Sequence, residues 1–198
     1  MNTLFNSETT NEVKYNIIIG NPPFITLYGR RDKKRNEEQR TYYLNNYNQF
    51  PNSLKNGKLN YSMFFIERAL EQLNPDGLLY FILDISFFET AFQYTRKYLL
   101  DNSMIIDFIY NINSFENANS GQVVLRIKKR NNAKSYYVNV YDYQTKKQRS
   151  VNSSNWNNPY NEYKFEIIDD TSNKIITRVY RKTSTTFLSF LKKKFLRK

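Results

Sequence analysis

Short apolar runs recur along the first two thirds of the chain, separated by longer stretches in which apolar and polar residues mix. Residues 15–19 form a β-branched run that stops at Gly20, and residues 78–83 form a second apolar run. Uninterrupted runs of this length are typical of strands buried on both faces, as in a parallel sheet. Residues 104–110 and 123–128 have the same character and predict two further strands.

Two amphipathic segments lie between these runs. In residues 60–73 apolar side chains recur at helical spacing, which predicts a helix that the Asn74–Gly77 turn ends. Residues 87–100 predict a second helix. The order strand, helix, strand, helix, strand, strand predicts a partial, Rossmann-like α/β sheet of about four strands with flanking helices. Since no helix separates the last two strands, we expect them to be antiparallel and the sheet to be mixed.

The character of the chain changes near its last third. Residues 136–143 alternate and predict an exposed strand, whereas residues 144–160 have the composition of a loop. We therefore divide the chain into residues 1–130, which hold the α/β sheet, and residues 131–198, a small extension that is irregular or contains some β-structure.

The charge balance indicates a polyanionic partner. Lys and Arg number 30 against 18 Asp and Glu, which gives a formal net charge of +12. Cationic surface binds a phosphate backbone by releasing its counterions, so nucleic acid is the expected partner, with a membrane surface as the main competitor. No apolar run approaches a membrane span, and the polar residues 1–14 lack the core of a signal peptide. We expect a cytoplasmic protein without a membrane partner.

The chain contains no Cys and no His. This excludes thiolate zinc sites, imidazole general bases and nucleophile systems of the Cys-His or Ser-His-Asp type. No metal site is therefore expected, and any catalysis has to use other groups.

The segment Asn21-Pro-Pro-Phe24 directly follows the first predicted strand. In open α/β sheets, ligands bind in the crevice beyond the carboxyl ends of the strands. The prolines fix the backbone and leave rigid carbonyl acceptors, the Asn amide adds another acceptor, and the Phe adds a flat apolar face. This set suits an exocyclic amino group on a planar base, such as N6 of adenine. A rigid turn without chemistry is the alternative interpretation.

Around this tetrapeptide the sequence resembles the N6-adenine DNA methyltransferases of restriction–modification systems, in the gamma-order class whose methyl-donor motif precedes the catalytic one. Tyr15–Phe24 is similar to that family's catalytic motif, and Asn60–Gly77 is similar to its next helix and turn. Leu78–Ser86 resembles the strand that follows, and Ser114–Ile127 resembles the late loop and strand. The likeness covers about residues 13–130.

The resemblance implies a site-specific enzyme that transfers a methyl group from S-adenosylmethionine to a flipped-out adenine in double-stranded DNA. Asn21 and Pro22 would hydrogen-bond the target N6. Pro23 would shape the turn, and Phe24 would stack on the extruded base.

Three further aromatic residues take roles from the same resemblance. Phe115 would pack on the other face of the target adenine. Phe65, and less directly Tyr61, would line the pocket for the adenine of S-adenosylmethionine. For Phe65 the alternative is an ordinary core position, because an aromatic residue at helical spacing usually packs inward.

The sequence departs from the family upstream of the motif. The family's Gly-rich methyl-donor loop is expected before Asn21, but only twenty residues stand there and none forms a Gly-rich turn after a strand. The chain thus resembles the second half of a methyltransferase. We expect a partner subunit, or a missing N-terminal half, to carry the methyl-donor site, and residues 131–198 to begin a target-recognition region.

A run of basic residues follows the motif: Arg30, Arg31, Lys33, Lys34 and Arg35. A solvated surface and a contact with the DNA backbone beside the flipped base are its two interpretations. Four tyrosines lie among or after these charges: Tyr28, Tyr42, Tyr43 and Tyr47. Aromatic rings among cations suit extruded or single-stranded bases.

Three functions remain open from the sequence. The first is an adenine-N6 DNA methyltransferase that is incomplete without a partner. The second is a methyltransferase for another acceptor, because Asn-Pro-Pro-aromatic motifs also occur in enzymes that methylate ribosomal RNA adenine or protein glutamine. The third is a non-catalytic DNA-binding or assembly subunit that keeps the charge without the chemistry.

Overall fold

The computed structural model describes residues 13–27, 33–47, 59–112, 121–130 and 135–167. Six strands lie in these ranges: β1 (Tyr15–Gly20), β2 (Leu73–Asp84), β3 (Ser103–Ile112), β4 (Gln122–Lys129), β5 (Tyr137–Asp142) and β6 (Lys147–Asn152). The α-helices in the same ranges are α1 (Lys33–Asn46), α2 (Tyr61–Gln72) and α3 (Gln93–Asn102).

The strands form one mixed sheet in the order β1-β2-β4-β3-β5-β6. β1 pairs in parallel with β2, and β3 pairs in parallel with β5. β4 runs antiparallel to both of its neighbours, and β6 runs antiparallel to β5. The mixed α/β sheet and the antiparallel β3–β4 pair are as predicted. Because β1, β2, β3 and β5 share one direction, their carboxyl ends meet at one edge, which we call the carboxyl edge.

One face of the sheet holds the core. Every second residue of the central strands is buried, among them Leu79, Phe81, Leu125, Ile127 and Phe108. These residues and the buried sides of α2 and α3 belong to one apolar cluster. The intervening residues of β2 and β4 are mostly half-buried, so within the described residues the opposite face is less well covered.

β1 is not the doubly buried strand that its sequence predicts. It lies at the end of the sheet, and the exposed fractions of Ile17 and Ile19 are 55% and 77%. The parallel pairing with β2 agrees with the expectation, but the expected burial is wrong. A β-branched run specifies an extended backbone, whereas burial depends on neighbours that the run itself cannot reveal.

The sheet has six strands where about four are predicted. β5 confirms the strand expected in residues 136–143, and it pairs with β3 so that Phe108 lies opposite Val140. β6 lies where the sequence predicts a loop. Of its six residues only Val151 is buried, so no alternation of apolar residues marks it as a strand. The boundary proposed between residues 130 and 131 stays a prediction.

The first predicted helix is confirmed and the second is divided. Asn60 caps α2, because its side-chain oxygen accepts from the backbone N–H of Ser62 at 3.0 Å. The second segment begins with 3-10 turns at Ile85–Phe88 and Thr90–Phe92, and α3 starts only at Gln93. None of the helices described is both long enough and apolar enough to cross a membrane.

Candidate functional site

The carboxyl edge brings several predicted segments together. Asn21 directly follows β1, Asp84 ends β2, and Gln122 begins β4 opposite Asp84. β3 ends at Ile112 on the same edge, so both strand ends that flank residues 113–120 lie there. In open α/β sheets this is the edge where ligands bind.

The Asn21–Phe24 motif is accessible at its two ends and anchored in the middle. Asn21 is exposed, and 38% of Phe24 is accessible. Pro22 is buried and Pro23 is half-buried. The prolines therefore hold the turn against the protein, while the amide and the aromatic ring remain open to a ligand.

Gly20 allows the strand before the motif to lie close to β2. It pairs with Phe81, and a Cβ added at Gly20 would come within 3.0 Å of Cε1 of that buried ring. Any side chain at this position would displace the ring or the strand. The residue before the motif is thus set by packing against β2.

The residues after the motif are tied to the start of α2. The backbone N–H of Tyr61 donates to the carbonyl oxygen of Ile25 at 2.9 Å, and that of Leu27 donates to the carbonyl of Leu59 at 2.8 Å. The first turn of α2 therefore lies beside the motif. Two elements, β1 and α2, fix the position of the exposed amide and ring.

Both predicted cofactor contacts lie on α2. The Tyr61 hydroxyl donates to the side-chain oxygen of Gln39 at 3.0 Å, and its ring meets the Tyr43 ring edge-on at 5.6 Å. Phe65 is half-buried and packs against the core. Each residue thus has a packing role within the chain, and their roles in cofactor binding stay predictions.

The tyrosines of α1 serve the core more than the surface. Tyr43 is fully buried and stacks on Phe64 with ring centroids 4.2 Å apart, and Tyr47 is also buried. Tyr42 is half-buried against the same cluster. The expectation that these rings stack on bases is therefore wrong for Tyr43 and Tyr47, because their faces are covered by other side chains. Tyr28 lies outside the described residues.

Several predicted contacts cannot be placed. Phe115, Arg30 and Arg31 lie outside the described residues. The backbone of the other three basic residues is described as the first turn of α1, without their side chains: Lys33, Lys34 and Arg35. The stacking role of Phe115 and the DNA-backbone roles of the basic run stay predictions.

The helix α2, which supports the motif, carries a buried carboxyl group that is uncharged near neutral pH. Only 5% of Glu67 is exposed, and its Oε2 atom has no hydrogen-bond partner among the described residues. Burial, and to a smaller extent the charge of Glu71, raises the pKa of Glu67 to about 9. The side chain is therefore protonated near neutral pH.

The model of the Eco57I restriction-modification methylase family matches residues 2–117. This match spans more than half of the 198 residues and includes β1, the Asn21–Phe24 motif and the helices α1 to α3. No curated protein matches the sequence.

Solved structures of low sequence identity share the fold. The chain is similar to a class I S-adenosylmethionine-dependent methyltransferase of Listeria monocytogenes, with 17% identity and a TM-score of 0.50 over 70% of this chain. It is also similar to the methyltransferase subunit of a type I restriction-modification system from Streptococcus thermophilus, with 18% identity and a TM-score of 0.50 over 91% of the chain. A third structure, from a type I restriction-modification system, shares 10% identity and a TM-score of 0.55 over 98% of the chain.

The chain spans 39%, 35% and 47% of the lengths of these three proteins, respectively. The likeness shows that the chain has the α/β fold of class I methyltransferases.

Proposed function

The chain belongs to the Eco57I restriction-modification methylase family, and from this membership we propose that it is the target-base half of an adenine-N6 DNA methyltransferase. In this proposal the acceptor is a flipped-out adenine of double-stranded DNA, and the donor is S-adenosylmethionine. The gamma-order arrangement and the choice of adenine rest on the resemblance of the Asn21–Phe24 motif.

The observation that carries the proposal is the accessible motif at the carboxyl edge. Asn21 is exposed directly after β1, and the ring of Phe24 is accessible, while the buried Pro22 anchors the turn. Binding and catalytic residues are disproportionately found on loops that a rigid scaffold positions, and this turn has that form.

The residues of the motif can hold and activate an amino group. In the proposed complex the Asn21 side-chain oxygen and the Pro22 carbonyl each accept one hydrogen of N6. These bonds favour a tetrahedral nitrogen whose lone pair is free to attack, and they strengthen as positive charge develops on it. Phe24 holds the base by stacking, as base-flipping enzymes do.

The cofactor side of the site is only partly present in the described residues. Tyr61 borders the motif and Phe65 is partly accessible on α2, so they can form one aromatic wall for an adenine ring. S-Adenosylmethionine, when bound, would supply an electrophilic methyl group on a positively charged sulfur. The described residues therefore fit S-adenosylmethionine only at this aromatic wall, and we assign its remaining contacts to the donor half.

Apolar exposure around β1 supports a second half that covers this end of the sheet. Large apolar side chains are exposed on or beside the strand: Val13, Tyr15, Ile17, Ile19, Phe24 and Ile25. β1 already runs parallel to β2 and has no neighbour on its other side among the described strands. A parallel strand of the donor half, together with its helices, would bury these residues.

The proposal is tested by methyl transfer in the native complex. The complex is purified through a tag on this chain and supplied with labelled S-adenosylmethionine and duplex DNA of mixed sequence. We expect Asn21→Ala to lower the rate of adenine-N6 labelling by about 100-fold or more, because one acceptor to the reacting nitrogen is lost. The control is Asn139→Ala, which removes an exposed amide from β5.

The same assay separates the alternative functions. Labelling of RNA or of protein glutamine in place of DNA would reject the DNA acceptor while keeping the motif chemistry. If Asn21→Ala changes no methylation of any acceptor, the chain is a non-catalytic subunit. Labelling by the chain alone, at the rate of the complex, would reject the requirement for a donor half.

A further inference from the structure

The turn between β5 and β6 is a second feature of the carboxyl edge. β5 runs in the same direction as β1, so its end at Asp142 and the start of β6 at Lys147 lie on the edge that carries Asn21. We call residues 143–147 the hairpin tip. All of its residues are exposed.

The hairpin tip is held in one conformation by Asp142. The Asp142 carboxylate accepts from the backbone N–H groups of Gln144 at 3.0 Å and Thr145 at 3.1 Å. The bond from the Thr145 backbone, followed by side-chain bonds from Thr145 and Asn111, holds the pKa of Asp142 below its ordinary value. Its charge is thus engaged within the turn.

Lys146 occupies a backbone position that favours glycine or asparagine. Its φ angle is 56°, in the left-handed region that costs an ordinary side chain roughly 1 kcal/mol. Its ammonium nitrogen lies 3.7 Å from the centroid of the Tyr143 ring, which holds it over an exposed aromatic face. Lys146 thus occupies a strained position that Gly or Asn would fill at lower cost, as residues at functional sites often do.

Positively charged side chains lie on the hairpin tip and, at Arg149, beside it on β6. Lys146, Lys147 and Arg149 are all exposed. In the described parts of the chain none of the three forms an ion pair. Cations on an exposed turn whose backbone is already held suit phosphate groups, because little backbone freedom is lost when they bind.

The spacing along the sheet fits a duplex. Four strand-to-strand steps separate β1 from β5 in the order β1-β2-β4-β3-β5, which is roughly 20 Å at the usual strand separation. That span corresponds to about six base pairs along a DNA axis. A duplex lying along the carboxyl edge would therefore reach both Asn21 and the hairpin tip.

We propose that the hairpin tip, through Lys146 and Lys147, binds the DNA phosphate backbone about six base pairs from the target adenine. The inference rests on the proposed function for its ligand, duplex DNA, but it concerns binding and is tested without methylation. Phosphate contacts fix the position of a protein on DNA without reading its sequence, so the tip would orient the duplex for the motif.

The test measures binding of the full chain to a fluorescent mixed-sequence duplex across a range of salt concentrations. Lys146→Asn removes the cation at a position that suits Asn, so we expect a folded protein of equal or higher stability that binds DNA about fivefold more weakly. K146N/K147Q should weaken binding further and lower the slope of log affinity against log salt by about 2.

The matched control is K97Q/K164Q, which removes the same formal charge from lysines that pair with Asp101 and Glu162. The proposal is supported if the hairpin variant loses affinity and slope while the control keeps both. Equal loss of affinity in both variants would show an effect of net charge alone and would overturn the inference. Unchanged binding by K146N/K147Q, or no binding by the full chain, would also overturn it. None of these results decides the outcome of the Asn21→Ala methylation test, so the two proposals can fail separately.

Discussion

The two edge strands of the sheet expose different kinds of side chain, polar and charged on β6 and apolar on β1. β6 carries Lys147, Gln148 and Arg149 in a row of exposed residues, whereas β1 exposes Ile17 and Ile19. Charged side chains are the usual protection of an edge strand against pairing with another chain. β6 therefore has the character of a strand that ends a sheet in water, and β1 has the character of an interior strand.

The packing behind the two edge strands differs in the same way. In the segment that follows β6, Trp156 is fully buried, and Arg96 of α3 donates to the carbonyl oxygens of Tyr163 and Glu162 as well as to those of Phe87 and Glu89. On α2, which packs against β2, the Oε2 atom of the buried Glu67 has no hydrogen-bond partner among the described residues. The β6 end is thus closed by contacts within the chain, while the β1 end keeps exposed apolar surface. Under the proposed function, the donor half would add to the sheet at the β1 end.

The largest loss of stability is expected from Trp156→Ala at the β6 end. Trp156 stacks on Phe165 at 4.5 Å between ring centroids, and its indole N–H donates to the Glu166 carbonyl at 2.9 Å. Removing the ring leaves a cavity, so the free energy of unfolding should fall by about 3–5 kcal/mol in urea titrations. Tyr160→Ala, at a half-exposed ring, is the control. A loss below about 1 kcal/mol would show that this end is not closed by packing.

Arg96→Met should destabilise the β6 end somewhat less. The variant keeps apolar bulk but leaves four carbonyl groups, one buried and three partly buried, without their donor. We expect a loss of about 2–4 kcal/mol, offset in part because burying a charge is itself unfavourable. Arg96→Lys keeps the charge but reaches fewer carbonyls, so its stability should lie between that of the parent chain and that of Arg96→Met. Equal stability of Arg96→Met and the parent chain would contradict this account.

The buried Glu67 of α2 predicts a pH dependence of stability. Its folded-state pKa of about 9 lies above the ordinary 4.5, so the folded protein holds the proton more tightly than the unfolded chain. The stability linked to this proton is fully present below about pH 4.5 and is lost as pH rises toward 9. Glu67→Gln should therefore gain several kcal/mol of stability relative to the parent chain as pH rises from 5 to 9, because each unit of the pKa difference corresponds to about 1.4 kcal/mol. Parallel pH profiles of the two proteins would reject the buried neutral carboxyl.

The smallest effect on folding is expected from Ile19→Thr on β1. Because 77% of Ile19 is exposed, the free energy of unfolding should change by no more than about 0.5 kcal/mol. Self-association at high concentration, measured by sedimentation, should decrease because exposed apolar surface is removed. Leu79→Thr on the adjacent strand, at a fully buried position, is the contrasting control. A loss above about 1 kcal/mol for Ile19→Thr would mean that β1 is already covered.

The fold was predictable where the sequence pattern is local. The helical spacing of apolar residues in residues 60–73 predicts α2, and the apolar runs predict the cores of β2, β3 and β4. β6 was not predictable, because a single apolar residue gives no period to detect. The division of the segment before α3 also escaped prediction, since it depends on Arg96 binding the carbonyls of Phe87 and Glu89.

The candidate site was predictable in its centre and not in its surroundings. The Asn21–Phe24 motif is recognisable because its amide, two prolines and aromatic ring belong to consecutive residues. The base-stacking prediction for the tyrosines of α1 and Tyr47 was wrong for two of them. Tyrosines among charged residues are typical of a base-binding surface, but Tyr43 and Tyr47 are buried. The hairpin tip carries no recognisable motif, and only the sheet order places it on the edge with Asn21.

By itself the sequence determined the type of most elements and the basic charge of the chain, because these properties depend on composition and near neighbours. It also predicts the residues that would bind an amino group. Only the tertiary structure decided that β1 lies at an edge, that Tyr43 and Tyr47 are core residues, and that the hairpin tip shares an edge with the motif. Each of these depends on which distant segments pack together, and burial and proximity between distant segments leave no local pattern in the chain.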